Sequence, residues 1–433
     1  VRLFGLSHKT VIFDEVHAYD TYMSTLFQRL LAWLRMIGAS VVLLSATLPA
    51  QTRRELLQAY AGTEVHVPTA SYPAATLIWR DRVEAIPLPE GPERLIDLQF
   101  VAPDPHGIVT RLQEALREGG CAAVICNTVS RSQEVYQTIR DAHLVAPEDL
   151  ILFHARTPFA WRDQVERAVL SRFGKDGLRP KRAIVVATQV IEQSLDLDFD
   201  IIVSDLAPVD LLLQRAGRLH RHSRPSRPAP VAAPCLVVTV PEGEVFPEFG
   251  SDSFVYEEYI LLRSLLALRG RERLRMPSDT TGLIEAVYST DMQFTGLSTE
   301  WEAKLAAARQ KMQRTIETAV FEARKRLIPP PSKEGLLMSL NADLEENSPE
   351  IHTAFQALTR LGEPSVTLVC LHDSAGLHTE PDGTGPTVML ECKPNAEQTA
   401  ELARHTLSVT HRGVVKYFQG QLAPASWREH PLL

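Results

Sequence analysis

Short apolar runs alternate with amphipathic stretches over most of the chain. Residues 9 to 13 form an apolar run that ends in two acids, and residues 21 to 36 then carry apolar side chains at helical spacing. A second apolar run at 41 to 44 is followed by a helical pattern at 53 to 60. Continuous apolar strands that alternate with helices are typical of a parallel sheet covered on both faces. We therefore predict strands and helices in alternation over residues 1 to 62.

A second alternating block lies at residues 106 to 245, after a weakly patterned, proline-containing connection at 63 to 105 in which we predict one strand pair. The predicted strands of this block are 122–126, 150–153, 183–187, 201–203 and 236–240, and the predicted helices are 106–118, 130–142, 159–173 and 210–218. This alternation predicts a complete doubly wound parallel sheet. Within it, the proline-rich residues 223 to 234 are predicted to form a surface loop.

After residue 245, the alternation of strands and helices gives way to long helical patterns and then to short strand-like runs. Residues 246 to 348 are predicted to be a helical linker region with helices at 252–270 and 297–327, the second ended by the prolines at 329 to 331. Residues 349 to 433 carry strand-like runs at 365–371 and 387–390 between Gly- and Asp-rich turns. They predict a small α+β domain.

Composition narrows the functional classes. A formal net charge of -8 argues against non-specific coating of nucleic acid by the whole surface but is compatible with a narrow basic groove. The five cysteines show no paired spacing, so they indicate neither a zinc site nor a disulfide framework. No run reaches the roughly 18 apolar residues of a membrane helix. We expect a cytoplasmic protein without membrane contact.

The first chemical motif lies at the end of the first predicted strand. Asp14 and Glu15 follow it, where open α/β sheets place their ligands. One acid can hold Mg²⁺ through its water shell while the other polarises a water that attacks a γ-phosphate. His17 would link this pair to Ser45 and Thr47, whose hydroxyls follow the next strand. Taken alone, an acid pair is more often a helix cap or a solvated turn.

A second motif, QRAGRLHR, covers residues 214 to 221. Phosphoryl transfer needs cations on the developing negative charge, so Arg218 and Arg221 are the predicted arginine fingers. Gln214 is predicted near the γ-phosphate or the attacking water, and Arg215 is grouped with the nucleotide-coupling residues. The alternative is a basic, solvated helix, which would leave the glycine at its centre unexplained.

Further polar residues follow the predicted strands of the second block. Thr188 is predicted to contact a nucleic-acid phosphate, and Asp196 is predicted to contact the ribose hydroxyl of the nucleotide. Other side chains at strand ends suit the backbone of a nucleic-acid strand that crosses the sheet. These are Asn127, Thr128, His154 and Arg156. For Thr188 and Asp196, a helix cap is the open alternative.

In this order the motifs resemble those of superfamily 2 helicases. Four strings resemble the Cas-three helicase-nucleases of type I CRISPR systems, over essentially the whole chain; they are DEVHAYD (14–20), TQVIEQSLDLDFD (188–200), QRAGRLHRH (214–222) and TRLGEPSV (359–366). The resemblance implies an α/β fold of tandem RecA-like doubly wound parallel sheets. Residues 1 to 62 would be the C-terminal half of the first motor domain and 106 to 245 the second. Linker helices and a truncated accessory C-terminal domain would follow.

The resemblance also implies ATP and Mg²⁺ as cofactors, with Mg²⁺ held by Asp14 through water. It implies 3′ to 5′ ATP-dependent unwinding of foreign DNA, with single-stranded DNA and an RNA-guided CRISPR surveillance complex as partners. The sequence departs from the family in carrying no GxxxxGK[ST] phosphate loop and no HD nuclease pattern. We therefore expect a fragment that is inactive without an N-terminal half. The open alternatives are a non-catalytic remnant that binds single-stranded DNA or protein, and another superfamily 2 helicase acting on RNA or DNA.

Overall fold

The computed structural model describes residues 4–68, 72–79, 82–192, 195–331, 365–373, 376–380, 383, 385–421 and 424–428. The chain divides into two compact units. The first comprises Val1–Ile96, Ala207–Gln214 and Tyr256–Leu361, and the second comprises Asp97–Leu206, Arg215–Val255 and Gly362–Leu433. Among the described residues, no helix combines the length and the apolar character needed to cross a bilayer.

The first unit opens with the predicted alternation. Its elements in chain order are a 3-10 turn at Phe4–Leu6, β1 (Thr10–Phe13), a 3-10 turn at Val16–Ala18, α1 (Thr21–Met36), β2 (Ser40–Leu43) and α2 (Ala50–Ala61). The two strands are parallel, with Thr10 opposite Ser40. Helix α1 begins where the Asp20 carboxylate accepts a hydrogen bond from the Met23 amide at 2.8 Å. The predicted parallel α/β arrangement is confirmed.

A small core holds these elements together on one side of the strand pair. Phe27 and Leu31 of α1 pack with Val16 and with Leu56 of α2, and all four are buried. On the other side, Ile12 is 63% exposed. One face of the strand pair therefore carries the packing, since successive strand residues point to opposite faces.

The predicted connection contains more regular structure than its pattern suggested. The antiparallel pair of β3 (Ala74–Trp79) and β4 (Arg82–Pro87) is the strand pair that was predicted. The following strand, β5 (Arg94–Val101), was not predicted. Its residues Asp97–Val101 pair in parallel with Cys235–Thr239, a strand of the main sheet of the second unit. Its alternation of charged and apolar residues, RLIDLQFV, differs from the continuous apolar runs of the other strands.

The second unit is built on that sheet. Six of the seven strands of the sheet are β5, β6 (Gly120–Ile125), β7 (Leu150–Phe153), β8 (Arg182–Ala187), β9 (Ile201–Asp205) and β10 (Cys235–Thr239). They run in the order β5-β10-β9-β6-β8-β7 and all neighbouring pairs are parallel. The helices are α3 (Pro105–Ala115), α4 (Val129–Asp141), α5 (Phe159–Phe173) and α6 (Val209–Ala216), the last of which begins in the first unit. The predicted doubly wound sheet is confirmed.

The central strands of this sheet are buried along their whole length. Every residue of β6, β9 and β10 is buried, which explains why these strands are apolar except for Ser204, Asp205 and Thr239 at their carboxyl ends. The proline-rich residues 223 to 234 form a loop at the surface, as predicted, with a 3-10 turn at Ala229–Val231. Arg224 and Arg227 fold inward and pair with the buried carboxylates of Asp198 and Asp200.

The chain then returns to the first unit. A 3-10 turn at Gly250–Phe254 precedes α7 (Glu258–Leu268), β11 (Arg273–Met276), α8 (Thr280–Tyr288) and α9 (Thr299–Arg324). The structure confirms the long second helix of the predicted linker region. It corrects the first one, because 252 to 270 is a turn and a shorter helix rather than a continuous helix. The elements β11 and α8 were not predicted.

The last described segment belongs to the second unit and is α+β. Strands β12 (Val366–Val369) and β15 (Thr406–Val409) are antiparallel, as are β13 (His372–Asp373) and β14 (Leu377–His378). They are accompanied by α10 (Ala396–Arg404), α11 (Arg412–Gln419) and a 3-10 turn at Ala425–Trp427. The predicted strand at 387 to 390 is wrong, since Thr387 forms only an isolated bridge with His378. Residues 359 to 364 of the TRLGEPSV string lie outside the described residues.

Candidate functional site

The acid pair lies at the carboxyl end of β1, as the sequence predicts. Glu15 adopts the left-handed backbone conformation, with φ 53° and ψ 41°, and its amide donates to Asp14 Oδ1 at 2.9 Å. Both residues are exposed. The amide of Val16 donates to the Leu44 carbonyl at 3.2 Å, which ties this turn to the end of β2. A left-handed non-glycine residue costs about 1–2 kcal/mol, so neighbouring contacts hold the two acids in this turn.

His17 connects three residues of the first unit. Its Nδ1 lies 3.3 Å from Glu15 Oε2 and 3.3 Å from Ser45 Oγ, and its Nε2 lies 3.1 Å from Gln214 Nε2. The Ser45 hydroxyl donates to the Thr47 carbonyl at 2.8 Å, so its oxygen is left to accept. This pattern assigns the ring proton to Nδ1 and leaves Nε2 to accept from the Gln214 amide. The ring thereby joins the glutamate of the acid pair to Gln214.

Gln214 reaches this position because the start of α6 is anchored within the first unit. The amide of Val209 donates to Ser264 Oγ on α7 at 3.0 Å, and the Tyr288 hydroxyl on α8 donates to Asp210 Oδ1 at 2.5 Å. Burial, with Asp210 adding to it, raises the pKa of Tyr288 well above its ordinary value, so the phenol stays a donor. Sequence reasoning missed these anchors, because they come from helices that the motif strings do not include.

Six predicted residues therefore belong to the first unit: Asp14, Glu15, His17, Ser45, Thr47 and Gln214. Hydrogen bonds or ion pairs connect the acid pair, His17, Ser45 and Gln214 directly. Thr47 is 6% exposed, and its hydroxyl has no hydrogen-bond partner among the residues that the structure describes. It offers this cluster a buried donor and acceptor.

The arginines of the QRAGRLHR motif lie in the second unit and have different surroundings. Arg215 is fully buried, and its guanidinium donates to Glu192 Oε1 and to Ser204 Oγ, each at 2.6 Å. Arg218 is 7% exposed and donates to the carbonyls of Glu192 and Leu195. Both side chains thus hold the loop after β8. Gly217 does not lie inside a helix, contrary to the prediction, because α6 ends at Ala216.

Arg221 is the more accessible arginine. Its Nε lies 2.6 Å from Asp196 Oδ1, and the two side chains are 46% and 49% exposed. The same Asp196 oxygen lies 3.1 Å from His222 Nε2. An exposed ion pair of this kind contributes only about 0–1 kcal/mol, so a ligand can replace either partner at small cost. The predicted pairing of Arg221 and Asp196 with a nucleotide is compatible with this exposure and stays a prediction.

Two predicted nucleic-acid contacts at the end of β6 are engaged with the protein itself. Asn127 is 3% exposed; its amide donates to Asp205 Oδ2 at 3.0 Å and its side chain donates to the Leu206 carbonyl at 2.9 Å. Thr128 caps α4 by accepting from the Arg131 amide at 3.3 Å. Thr128 thus forms a helix cap, and the nucleic-acid roles of both residues stay predictions.

The ends of β7 and β8 carry the other predicted contacts. His154 is 8% exposed, with Nδ1 3.2 Å from Thr157 Oγ1. Burial, assisted by the charge of Arg156, lowers the pKa of His154, so the ring is neutral at neutral pH. The amide of the buried Thr188 donates to the Phe153 carbonyl at 3.1 Å. Arg156 is exposed, which leaves its charge accessible to a phosphate.

Residues 118–224 match the model of the family described as "CRISPR-associated nuclease/helicase Cas3, C-terminal". The CRISPR-associated endonuclease/helicase Cas3 of Thermus thermophilus is 36% identical over 100% of this chain and 51% of its own length.

Two solved structures have the same fold over nearly the whole chain. T. fusca Cas3 with AMPPNP matches with a TM-score of 0.81 and 31% identity over 99% of this chain and 50% of that one. A chain of a CRISPR RNA-guided surveillance complex, in a pre-nicking state, matches with a TM-score of 0.74 and 31% identity over 99% of this chain and 53% of its own. The chain spans about half the length of the relatives that it matches.

Proposed function

This chain belongs to the family of CRISPR-associated Cas3 nuclease/helicases, and we propose that it supplies the water-activating acids and the second motor domain of an ATP-driven 3′ to 5′ DNA helicase. The observation that carries the proposal is the connection from Glu15 through His17 to Gln214. It joins the predicted general base to the motif that senses the reacting phosphate, as coupled ATP hydrolysis requires.

Asp14 and Glu15 are suited to bind Mg²⁺ and the attacking water beside the γ-phosphate of a nucleotide. Exposed carboxylate oxygens at the end of β1 are the donors that Mg²⁺ prefers, and Asp14 is the residue that would hold it through water. When bound, Mg²⁺ neutralises negative charge on the phosphates. Glu15 Oε2 contacts the His17 ring, so we propose that the other oxygen, Oε1, accepts the hydrogen bond from the attacking water.

The proposed roles of the other residues follow from their exposure. Arg221 is the arginine finger that we favour, because its surface pair with Asp196 is exchangeable. Arg215 and Arg218 act as positioning residues, since they donate hydrogen bonds to Glu192 and Leu195. Arg156 is the residue that we assign to a DNA phosphate.

The partners are proposed by analogy with the relatives. A related chain lies in an RNA-guided surveillance complex, and T. fusca Cas3 is known with AMPPNP. We propose the same classes of partner here, namely a CRISPR surveillance complex, ATP and single-stranded DNA. No GxxxxGK[ST] motif occurs in the 433 residues, so we expect this chain to need a phosphate loop from an N-terminal segment.

The test is DNA-stimulated ATP hydrolysis by the 433-residue chain, alone and mixed with a polypeptide that carries the phosphate-loop half of a Cas3 relative. We expect hydrolysis only in the mixture, and we expect Glu15→Gln to abolish it. Hydrolysis by the chain alone would contradict the requirement for an added phosphate loop. Binding of single-stranded DNA without hydrolysis in either sample would favour the non-catalytic alternative.

A further inference from the structure

Three potential metal ligands converge in the C-terminal segment of the second unit. One ligand atom each from Glu380, Glu401 and His405 lies within 4.8 Å of the others. His405 follows the last residue of α10, and its side chain is 0% exposed. The negative end of the helix dipole therefore adds to two carboxylates at this position, which favours a cation.

Each carboxylate directs one oxygen at the imidazole and the other elsewhere. Glu380 Oε1 lies 3.2 Å from His405 Nε2, whereas its Oε2 accepts from Trp161 Nε1 at 3.1 Å. Glu401 Oε1 lies 3.6 Å from His405 Nδ1, whereas its Oε2 lies 3.9 Å from the Arg404 guanidinium. Neighbouring groups thus fix which oxygens face the ring, as partners of metal ligands commonly do.

The hydrogen bonding of His405 directs Nε2 at the Glu380 carboxylate. Nδ1 lies 2.9 Å from the Glu401 carbonyl, an acceptor, so Nδ1 carries the proton. In the neutral ring, the lone pair of Nε2 would then face the Glu380 carboxylate at 3.2 Å. A metal ion bound to Nε2 would therefore have the Glu380 oxygen as a neighbouring ligand.

A second observation lies beside the cluster. Thr379 is 1% exposed, and its hydroxyl has no hydrogen-bond partner among the described residues. It lines a cavity of about 110 Å³ together with Glu401. A water needs only about 10–15 Å³ of such space, so the cavity can hold water bound to an ion and to this hydroxyl.

We propose that Glu380, Glu401 and His405 bind one divalent transition-metal ion of the zinc class. Zinc takes imidazole nitrogen and carboxylate oxygen together, and three protein ligands leave a position for water. Mg²⁺ and Ca²⁺ prefer sites made of oxygen alone. The ion would connect α10 to the segment at Glu380 and, through Trp161, to α5.

The experiment uses the 433-residue chain in a Cys392→Ser background, which removes the exposed thiol as a competing ligand. The protein is stripped with EDTA and titrated with Co²⁺, whose absorption spectrum reports the ligands, and then with Zn²⁺ in competition. We expect one equivalent to bind with a nitrogen–oxygen spectrum, and we expect Zn²⁺ to raise the melting temperature.

Graded variants test the assignment. Trp161→Phe changes only a partner of a ligand and should weaken binding by roughly 10- to 100-fold. Glu401→Gln and His405→Gln remove a ligand and should weaken it further. Glu397→Gln, an exposed acid on the same helix, is the matched control and should bind normally.

Two results would overturn the proposal. One is binding of less than one equivalent by the unaltered ligand set, which would show that the three side chains form no metal site. The other is equal affinity for Glu401→Gln and Glu397→Gln, which would put the ion elsewhere. Because Glu401 is partly exposed and glutamine has the same shape, this comparison does not depend on whether His405→Gln folds. None of these readouts involves ATP, so the outcome is independent of the proposed function.

Discussion

The side-chain nitrogen of Gln214 lies 3.1 Å from Nε2 of His17, although 197 residues separate them in the chain. The other ring nitrogen of His17 lies 3.3 Å from Glu15 Oε2. One imidazole therefore contacts both the acid pair after β1 and the motif at the end of α6. Breaking either contact should disturb the other, because the tautomer of the ring depends on both.

We expect His17→Ala and Gln214→Ala to lower DNA-stimulated ATP hydrolysis in the complemented protein, and the double variant to lose less than the sum of the two. A coupling of about 0.5–3 kcal/mol is usual for residues in one hydrogen-bond network. The measurement is a double-mutant cycle on the rate of hydrolysis. Gln313→Ala, an exposed glutamine on α9, is the control. Additive losses would show that the ring does not couple the two motifs.

Glu15→Gly should separate stability from activity. Glycine adopts the left-handed conformation of Glu15 without the cost of about 1–2 kcal/mol that other residues incur, although glycine also loses more entropy on folding. We expect unchanged or slightly higher stability in urea unfolding, together with loss of ATP hydrolysis in the complemented protein. The Glu15→Gln variant should also lose ATP hydrolysis, but it should retain the cost of a non-glycine residue in the left-handed conformation. Hydrolysis that survives in both variants would remove Glu15 from the site.

Arg218→Ala should mainly lower the stability of the protein, whereas Arg221→Ala should mainly lower the rate of ATP hydrolysis. Arg218 donates to two carbonyls in a buried position, so its loss should destabilise the second unit by about 2–3 kcal/mol. Arg221 is half exposed, so its loss should change stability by less than about 1 kcal/mol. If it is the arginine finger, hydrolysis should fall by about 10³-fold or more. Urea unfolding and ATPase rates distinguish the two, and a stable, inactive Arg218→Ala would reverse the assignment.

Asp252 should make the second unit less stable as pH rises from about 4 to 6. Burial first, and then the neighbouring Asp205 carboxylate, raise its pKa from 3.8 to about 6, while Asn127 and Arg131 oppose the shift. The folded state therefore holds a proton that the unfolded state has lost in this range, so unfolding becomes easier until pH exceeds about 6. The shift corresponds to at most about 3 kcal/mol.

The comparison of Asp252→Asn with the unaltered chain isolates this contribution from that of other acids. We expect the variant to be more stable at pH 7 and its stability to change less between pH 4 and 6, measured by urea unfolding at each pH. Asp149→Asn, a change at an acid that forms a partly exposed ion pair, serves as the control. Parallel pH profiles for Asp252→Asn and the unaltered chain would show that the burial of Asp252 does not shift its titration.

The spacing of apolar residues along the chain was sufficient to predict most of the helices and strands. Helix α5 and strand β7 begin and end at the predicted residues, because buried parallel strands and amphipathic helices are specified by local spacing. The pattern failed at β5, where charged residues interrupt the strand, and at α8, which lies outside the motif strings. It also failed at 387 to 390, where β propensity without a partner strand gave only an isolated bridge.

By itself, the sequence determined which side chains follow which strands, and therefore that Asp14, Glu15 and Ser45 lie at one edge of a parallel sheet. Only the tertiary structure decided which of the polar residues remain accessible. Asn127, Arg215 and Arg218 resemble ligand contacts in the sequence, yet burial commits their donors to carbonyls and carboxylates of the protein. The physical reason is that a buried polar group must find a partner, and that partner comes from residues distant in the chain.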